Sequence, residues 1–137
     1  MPRSPERLAQ TRAWFTRVDD DLRCARVDLS AAPPLLEDAL FHCQQAVEKT
    51  LKGFLVWHDC AFRKTHDLRE LGSQCADIDA GLEPMLMRAA PLSKYAGKFR
   101  YPGEEAAPTL EEVQSALTLT GEVVAAILSR LPAEVRP

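Results

Sequence analysis

The segment FHCQQAVEKTLKGFLVWHDC, residues 41–60, gathers Gln44, Gln45, Glu48, Lys49 and Lys52 into a few helical turns between bulky apolar ends. Gln44, Glu48 and Lys52 share one strip, and Glu48 four residues before Lys52 is the favourable order for an ion pair worth about 0.2 to 0.5 kcal/mol. Such a strip is ordinary on a solvated helix face. Phe41 and Val56 fall on the same side, however, and an apolar rim around polar residues suits contact with a second surface. Two further stretches carry cations. Phe62-Arg63-Lys64-Thr65-His66-Asp67 places two cations and an imidazole ahead of a helix start, where free backbone N–H groups favour a phosphate. Thr65, His66 or Asp67 can equally serve there as a helix cap. In Lys94-Tyr95-Ala96-Gly97-Lys98-Phe99-Arg100-Tyr101, cations interleave with tyrosines, which suits phosphate and base contacts or cations snorkelling around a buried tyrosine.

Other chemistries find less support. Cys24, Cys43, Cys60 and Cys75 include no C-x-x-C pair, and His42, His58 and His66 do not stand beside them at zinc-ligand intervals. Cys43 and Cys75 fall on apolar helical stripes, where a thiol acts as a small hydrophobe, and all four cysteines are read as reduced and structural. No metal and no cofactor is expected. A formal net charge of -3 with 27% charged residues gives no electrostatic capture of nucleic acid by the chain as a whole. The longest uncharged runs, residues 39–47 and 113–121, reach about half of the roughly 20 apolar residues a membrane span needs. The opening MPRSPERLAQ lacks the apolar core of a secretory signal, so a cytoplasmic location is expected.

The elements that must position these residues read as helices almost throughout. With 137 residues and 46% hydrophobic content, residues 1–137 suit one domain with one core. Leu8, Thr11, Phe15, Val18, Leu22, Ala25 and Leu29 step at helical spacing behind a Ser4-Pro5 start. Residues 30–36, SAAPPLL, break that helix. Leu36, Leu40, Cys43, Val47, Leu51, Phe54 and His58 then trace a second stripe, broadened by Ala39, Ala46, Gly53 and Trp57, which predicts a central helix. Asp67 and Glu70 resemble a capping box for a short third helix through Ile78. A fourth helix is expected from Glu83-Pro84 to Phe99, kinked at Pro91 and stopped by Tyr101-Pro102-Gly103. Thr109 and Glu112 form a second capping box for a long fifth helix carrying Val113, Leu117, Thr120, Val124, Ile127 and Leu131. The fold class is all-α, an antiparallel bundle of about five helices.

The three motifs FHCQQAVEKTLKGFLV, KTHDL and KFRYPG, in this order and at these separations, resemble the HEPN domain family, named for its occurrence in higher eukaryotes and prokaryotes. The resemblance spans roughly residues 14–131. It implies a helical bundle that commonly dimerises and binds a nucleotide or RNA. It also implies partnership with a small nucleotidyltransferase, in some cases as a toxin-antitoxin pair. Catalytically active members carry an Arg-x4-6-His motif late in the domain. Here no histidine has an arginine five to seven positions ahead of it, and the corresponding segment reads Tyr95-x4-Arg100. Without an imidazole there, the acid-base step of RNA cleavage lacks its agent. The expectation is a non-catalytic, homodimeric module that contacts nucleotide or phosphate through Gln45, Lys49, Lys52, Lys64, His66, Tyr95, Arg100 and Tyr101. The alternatives are a ribonuclease pairing His66 with Arg100 across helices, and a purely structural helical dimer.

Overall fold

A computed structural model describes residues 3–97, 102–103 and 106–137. Five α-helices follow in order: α1 Pro5–Ser30, α2 Leu36–Trp57, α3 Leu68–Ile78, α4 Glu83–Ala89 and α5 Leu110–Leu128. Single 3₁₀ segments occupy Ala80–Leu82, Ala90–Ala96 and Ala133–Val135, and the described residues contain no strand. The all-helical expectation holds.

Ser4 caps α1 by accepting the Arg7 N–H at 3.1 Å, with Pro5 at the first helical position. The break after α1 contains the cis Ala32–Pro33 peptide, and α2 returns antiparallel along α1. The pairing runs in register. Arg7 bonds the Val56 carbonyl and Asp59, Asp21 meets His42 and Lys49, and the Leu35 N–H closes onto the Asp28 carbonyl.

Helix α2 is the central element, packing against α1, α3, α5 and the Ala90–Ala96 segment. Its predicted stripe is the core: Leu40, Cys43, Val47, Leu51 and Phe54 are buried, with Phe15, Val18, Leu71, Val113, Val124 and Ile127 against them. At Gly53 the two longest helices are in close contact. A methyl group there would stand 2.9 Å from the Phe15 ring and 3.2 Å from Trp14 Cβ.

Three boundaries differ from the sequence reading. Helix α2 stops at Trp57, and Asp59 then takes a positive φ of 54°. The single kinked fourth helix is instead a short α-helix followed by a 3₁₀ segment with Pro91 near its start, because proline has no N–H to give the α pattern. Helix α5 ends at Leu128, and Leu131 packs into the core from beyond it. The predicted end of helix four at Phe99 and the stop at Tyr101 lie outside the described residues.

Candidate functional site

The polar strip of α2 is buried. Gln44, Glu48 and Lys52 are 0%, 4% and 7% exposed, so the sequence-level choice between a solvated face and a rimmed contact surface gives way to an internal cluster. Glu48 is its hub. One carboxylate oxygen accepts from Gln44 Nε2 at 3.0 Å and from His66 Nδ1 at 2.6 Å, while the other accepts from Lys52 Nζ at 3.0 Å. The Lys52 ammonium also lies 6.0 Å from the Trp14 ring centre and 5.7 Å from that of Phe62, two rings packed edge to face. One carboxylate and two aromatic rings thus replace the water that a buried lysine would otherwise need. Burial is the largest influence on the Glu48 carboxyl and would raise its pKa. The donors Gln44, His66 and Lys52 together outweigh it and hold Glu48 below its ordinary value of 4.5.

His66 reaches this cluster from the loop ahead of α3. Because a carboxylate can only accept, Nδ1 carries the hydrogen, and the imidazole is fixed at one nitrogen while 68% of its side chain stays exposed. Its backbone carbonyl also accepts from Gln44 at 3.5 Å. Lys64, two residues earlier, is exposed and has no partner among the described residues. Arg63 is held instead by a two-pronged bond to Glu70, 2.7 Å at each contact.

The start of α3 leaves no room for the anion expected there. Asp67 is the cap and accepts the N–H groups of Arg69 and Glu70 at 2.9 and 3.4 Å. Ser93 Oγ accepts the Leu68 N–H at 2.8 Å, and the Asp67 carbonyl accepts that of Leu71. Every first-turn donor is already used. The capping box is half built, since the Glu70 carboxylate turns to Arg63.

The other predicted contact residues are dispersed. Gln45 donates to the Gln44 side chain at 2.6 Å and so borders the Glu48 cluster. Lys49 faces away from it and donates to Asp21 at 2.7 Å. Tyr95 is buried, donating to Glu112 at 2.7 Å, and burial together with that carboxylate raises its pKa well above the ordinary value. Tyr95 therefore ties the Ala90–Ala96 segment to α5 and takes the buried-tyrosine alternative. Arg100 and Tyr101 lie outside the described residues. Cys43 and Cys75 are buried with thiols pushed up by burial to about 11 and about 12, which keeps them unreactive. Cys24 is exposed and does not belong to the core.

Sequence reasoning missed a second polar group on the α1–α2 seam. Asp21 accepts from His42 Nδ1 at 2.8 Å as well as from Lys49, and His42 Nε2 stands 3.4 Å from Asp38. One ligand-capable atom each from Asp28, Asp38 and His42 lies within 4.8 Å of the others. Asp38 and His42 at i, i+4 on α2 were the available signal, but Asp28 enters only through the hairpin. Burial first, and then the neighbouring Asp38 carboxyl, push Asp28 up to about 6.

A separate groove of about 260 Å³ between α3 and α4 is lined by Leu68, Gly72, Ala76 and Leu86, together with Arg69 and Asp77. It shares no residue with either polar cluster.

The sequence model of the HEPN domain family matches residues 11–131. No curated protein and no solved structure shows a significant match to the chain. The matched span runs from within α1 to just beyond α5 and takes in the central helix, the Glu48 cluster and the His66 loop. The chain belongs to the HEPN domain family.

Proposed function

We propose that this HEPN domain is a non-catalytic module that takes the phosphate of a nucleotide or of RNA at the Lys64–His66 loop. The observation that supports this is the Glu48–His66 bond. A buried carboxylate fixes the imidazole through Nδ1, leaves Nε2 available, and sets it two residues from an uncommitted lysine. Lys52, Gln44 and Gln45 then act from behind, holding Glu48 and the loop, since Lys52 is already bound to Glu48 and caged by Trp14 and Phe62. Arg100 and Tyr101 extend the proposed contact region as the family resemblance implies, whereas Lys49, turned away to Asp21, does not join it. Further proposals on the same resemblance are a homodimer, a small nucleotidyltransferase partner and a toxin-antitoxin setting; a cytoplasmic location is proposed from the sequence pattern alone. No helix among the described residues is long and apolar enough to cross a membrane.

The test is a thermal-shift screen of the purified chain against nucleoside triphosphates and short RNAs, repeated on Lys64→Ala and His66→Ala. A ligand at about 100 times its Kd stabilises by about 2.7 kcal/mol, a shift that both variants should reduce. No shift with any ligand, together with no association with a nucleotidyltransferase, would leave the Glu48 cluster a structural element of a helical dimer.

The same bond favours a second reading. An imidazole oriented by a carboxylate is the arrangement general-base catalysis uses, so His66 could act on RNA with Arg100 as its partner. Metal-independent RNA cleavage that vanishes in His66→Ala would replace the non-catalytic reading.

A further inference from the structure

The α1–α2 seam holds one buried acceptor without a donor. Asp28, on the last turn of α1, is only 7% exposed, and its Oδ2 has no hydrogen-bond donor among the described residues. Across the hairpin, Asp38 and His42 stand one turn apart on α2, and each offers an atom within 4.8 Å of the other two residues' atoms. The His42 ring is oriented. Asp21 Oδ1 faces Nδ1 at 2.8 Å and can only accept, so a hydrogen sits on Nδ1, and Nε2 stands 3.4 Å from Asp38, where a neutral ring presents its lone pair. Asp21 is itself held from the other side by Lys49 Nζ at 2.7 Å. A histidine that donates one N–H to a carboxylate while presenting the other nitrogen is the usual outer arrangement around a bound metal ion. Two carboxylates and a lone pair facing one another are unfavourable unless a proton or a metal ion lies between them.

We propose that Asp28, Asp38 and His42 bind one divalent first-row metal ion, with Asp21 and Lys49 orienting the imidazole. One nitrogen and two carboxylates suit manganese or zinc better than magnesium or calcium, which favour oxygen donors alone. Three protein ligands leave further positions for water, and Asp38, with 55% of its side chain exposed, gives solvent access to the site. Bound there, the ion would pin the end of α1 to the first turns of α2. The two alternatives to a metal are a proton shared between Asp28 and Asp38, or a doubly protonated His42. Neither would take up metal.

The experiment titrates chelator-treated protein with manganese chloride and with zinc chloride, by calorimetry and thermal shift. The comparison variants are Asp28→Asn and Asp38→Asn, with folding checked by circular dichroism. Asp38 is exposed enough that its variant should keep the fold. The expected result is one ion per chain and a melting temperature raised by several degrees, both lost in the two variants. Asp21→Asn, which does not touch the ion, should weaken binding by about 10 to 100-fold. No binding of either ion at millimolar concentration would overturn the proposal, and so would binding that persists unchanged in both variants.

Discussion

At the scale of single residues, Glu48 decides most. It satisfies a buried lysine and a buried amide and also fixes an exposed imidazole, so its removal leaves several donors unpaired at once. Glu48→Gln is expected to destabilise the protein by about 3 kcal/mol at neutral pH, because Lys52 would stay buried without its counter-charge. Urea denaturation measures this. The pH dependence follows from the lowered folded-state pKa. The unfolded chain binds a proton at Glu48 more readily, so the stabilisation is fully present above 4.5 and is lost as pH falls through the lower folded-state value. Wild type and Glu48→Gln should therefore converge in stability as the pH is lowered below 4.5. A gap that stays constant from neutral pH down to pH 3 would show that Glu48 takes up its proton alike in the folded and unfolded chain, so that its pKa is not lowered by folding. Tyr95→Phe removes one bond to Glu112 and should cost about 0.5 to 1.5 kcal/mol or somewhat more. Since Tyr95 is buried, this variant should bind nucleotide as wild type does, which a binding isotherm checks.

At the scale of elements, the approach of α1 to α2 depends on Gly53. Alanine is favoured over glycine in a helix by about 1 kcal/mol, yet here its methyl group would press on the buried Phe15 ring and on Trp14 Cβ. Overpacking of about 1 to 3 kcal/mol should exceed the propensity gain, so Gly53→Ala lowers the melting temperature. Gly121 in α5 is the opposite case. Among the described residues nothing beyond its own helix backbone lies within 4 Å of its added methyl, so Gly121→Ala should stabilise by about 0.5 to 1 kcal/mol. A thermal scan of both variants against wild type tests the pair, with shifts of opposite sign expected. The loop ahead of α3 shows how an element can close a site the sequence suggested. The pattern Arg63 to Asp67 suits a helix-terminus anion site, but Asp67 and Ser93 already occupy the free N–H groups. Any phosphate must then be met by the Lys64 and His66 side chains.

At the scale of the whole molecule, a chain of net charge -3 has no general attraction for nucleic acid. Binding through one lysine and one imidazole should therefore be local and of modest salt dependence. A slope of log K against log salt near -1 to -2 is expected, by the rule of about -0.9 per phosphate neutralised on duplex or about -0.7 on single strands. A much steeper slope in a filter-binding titration would mean that a broader basic surface, such as that of a dimer, makes the contact. Val27, Leu35 and Phe41 are large apolar residues left exposed on or between α1 and α2. They are the first positions to test for a second copy of the chain, by light scattering of wild type and Phe41→Glu.

The sequence by itself determined the helical class, the order of five helices, the central place of α2 and the family. Each of these is written in local spacing: apolar residues every three or four positions, Ser4, Asp67 and Thr109 at helix starts, and three motifs in fixed order. It also marked Gln44, Glu48, Lys52 and His66 as unusual. What it could not show was the direction in which they face, because a strip of polar residues at i, i+4 looks the same under water as under a loop. Only the tertiary structure decided this, by folding Phe62 and His66 over α2 and Trp14 against Lys52. The Asp28, Asp38 and His42 group was equally out of reach, since Asp28 meets the other two across a hairpin whose register depends on packing along both helices. Local patterns specify elements; which side chains meet between elements depends on the contacts that bring distant parts of the chain together.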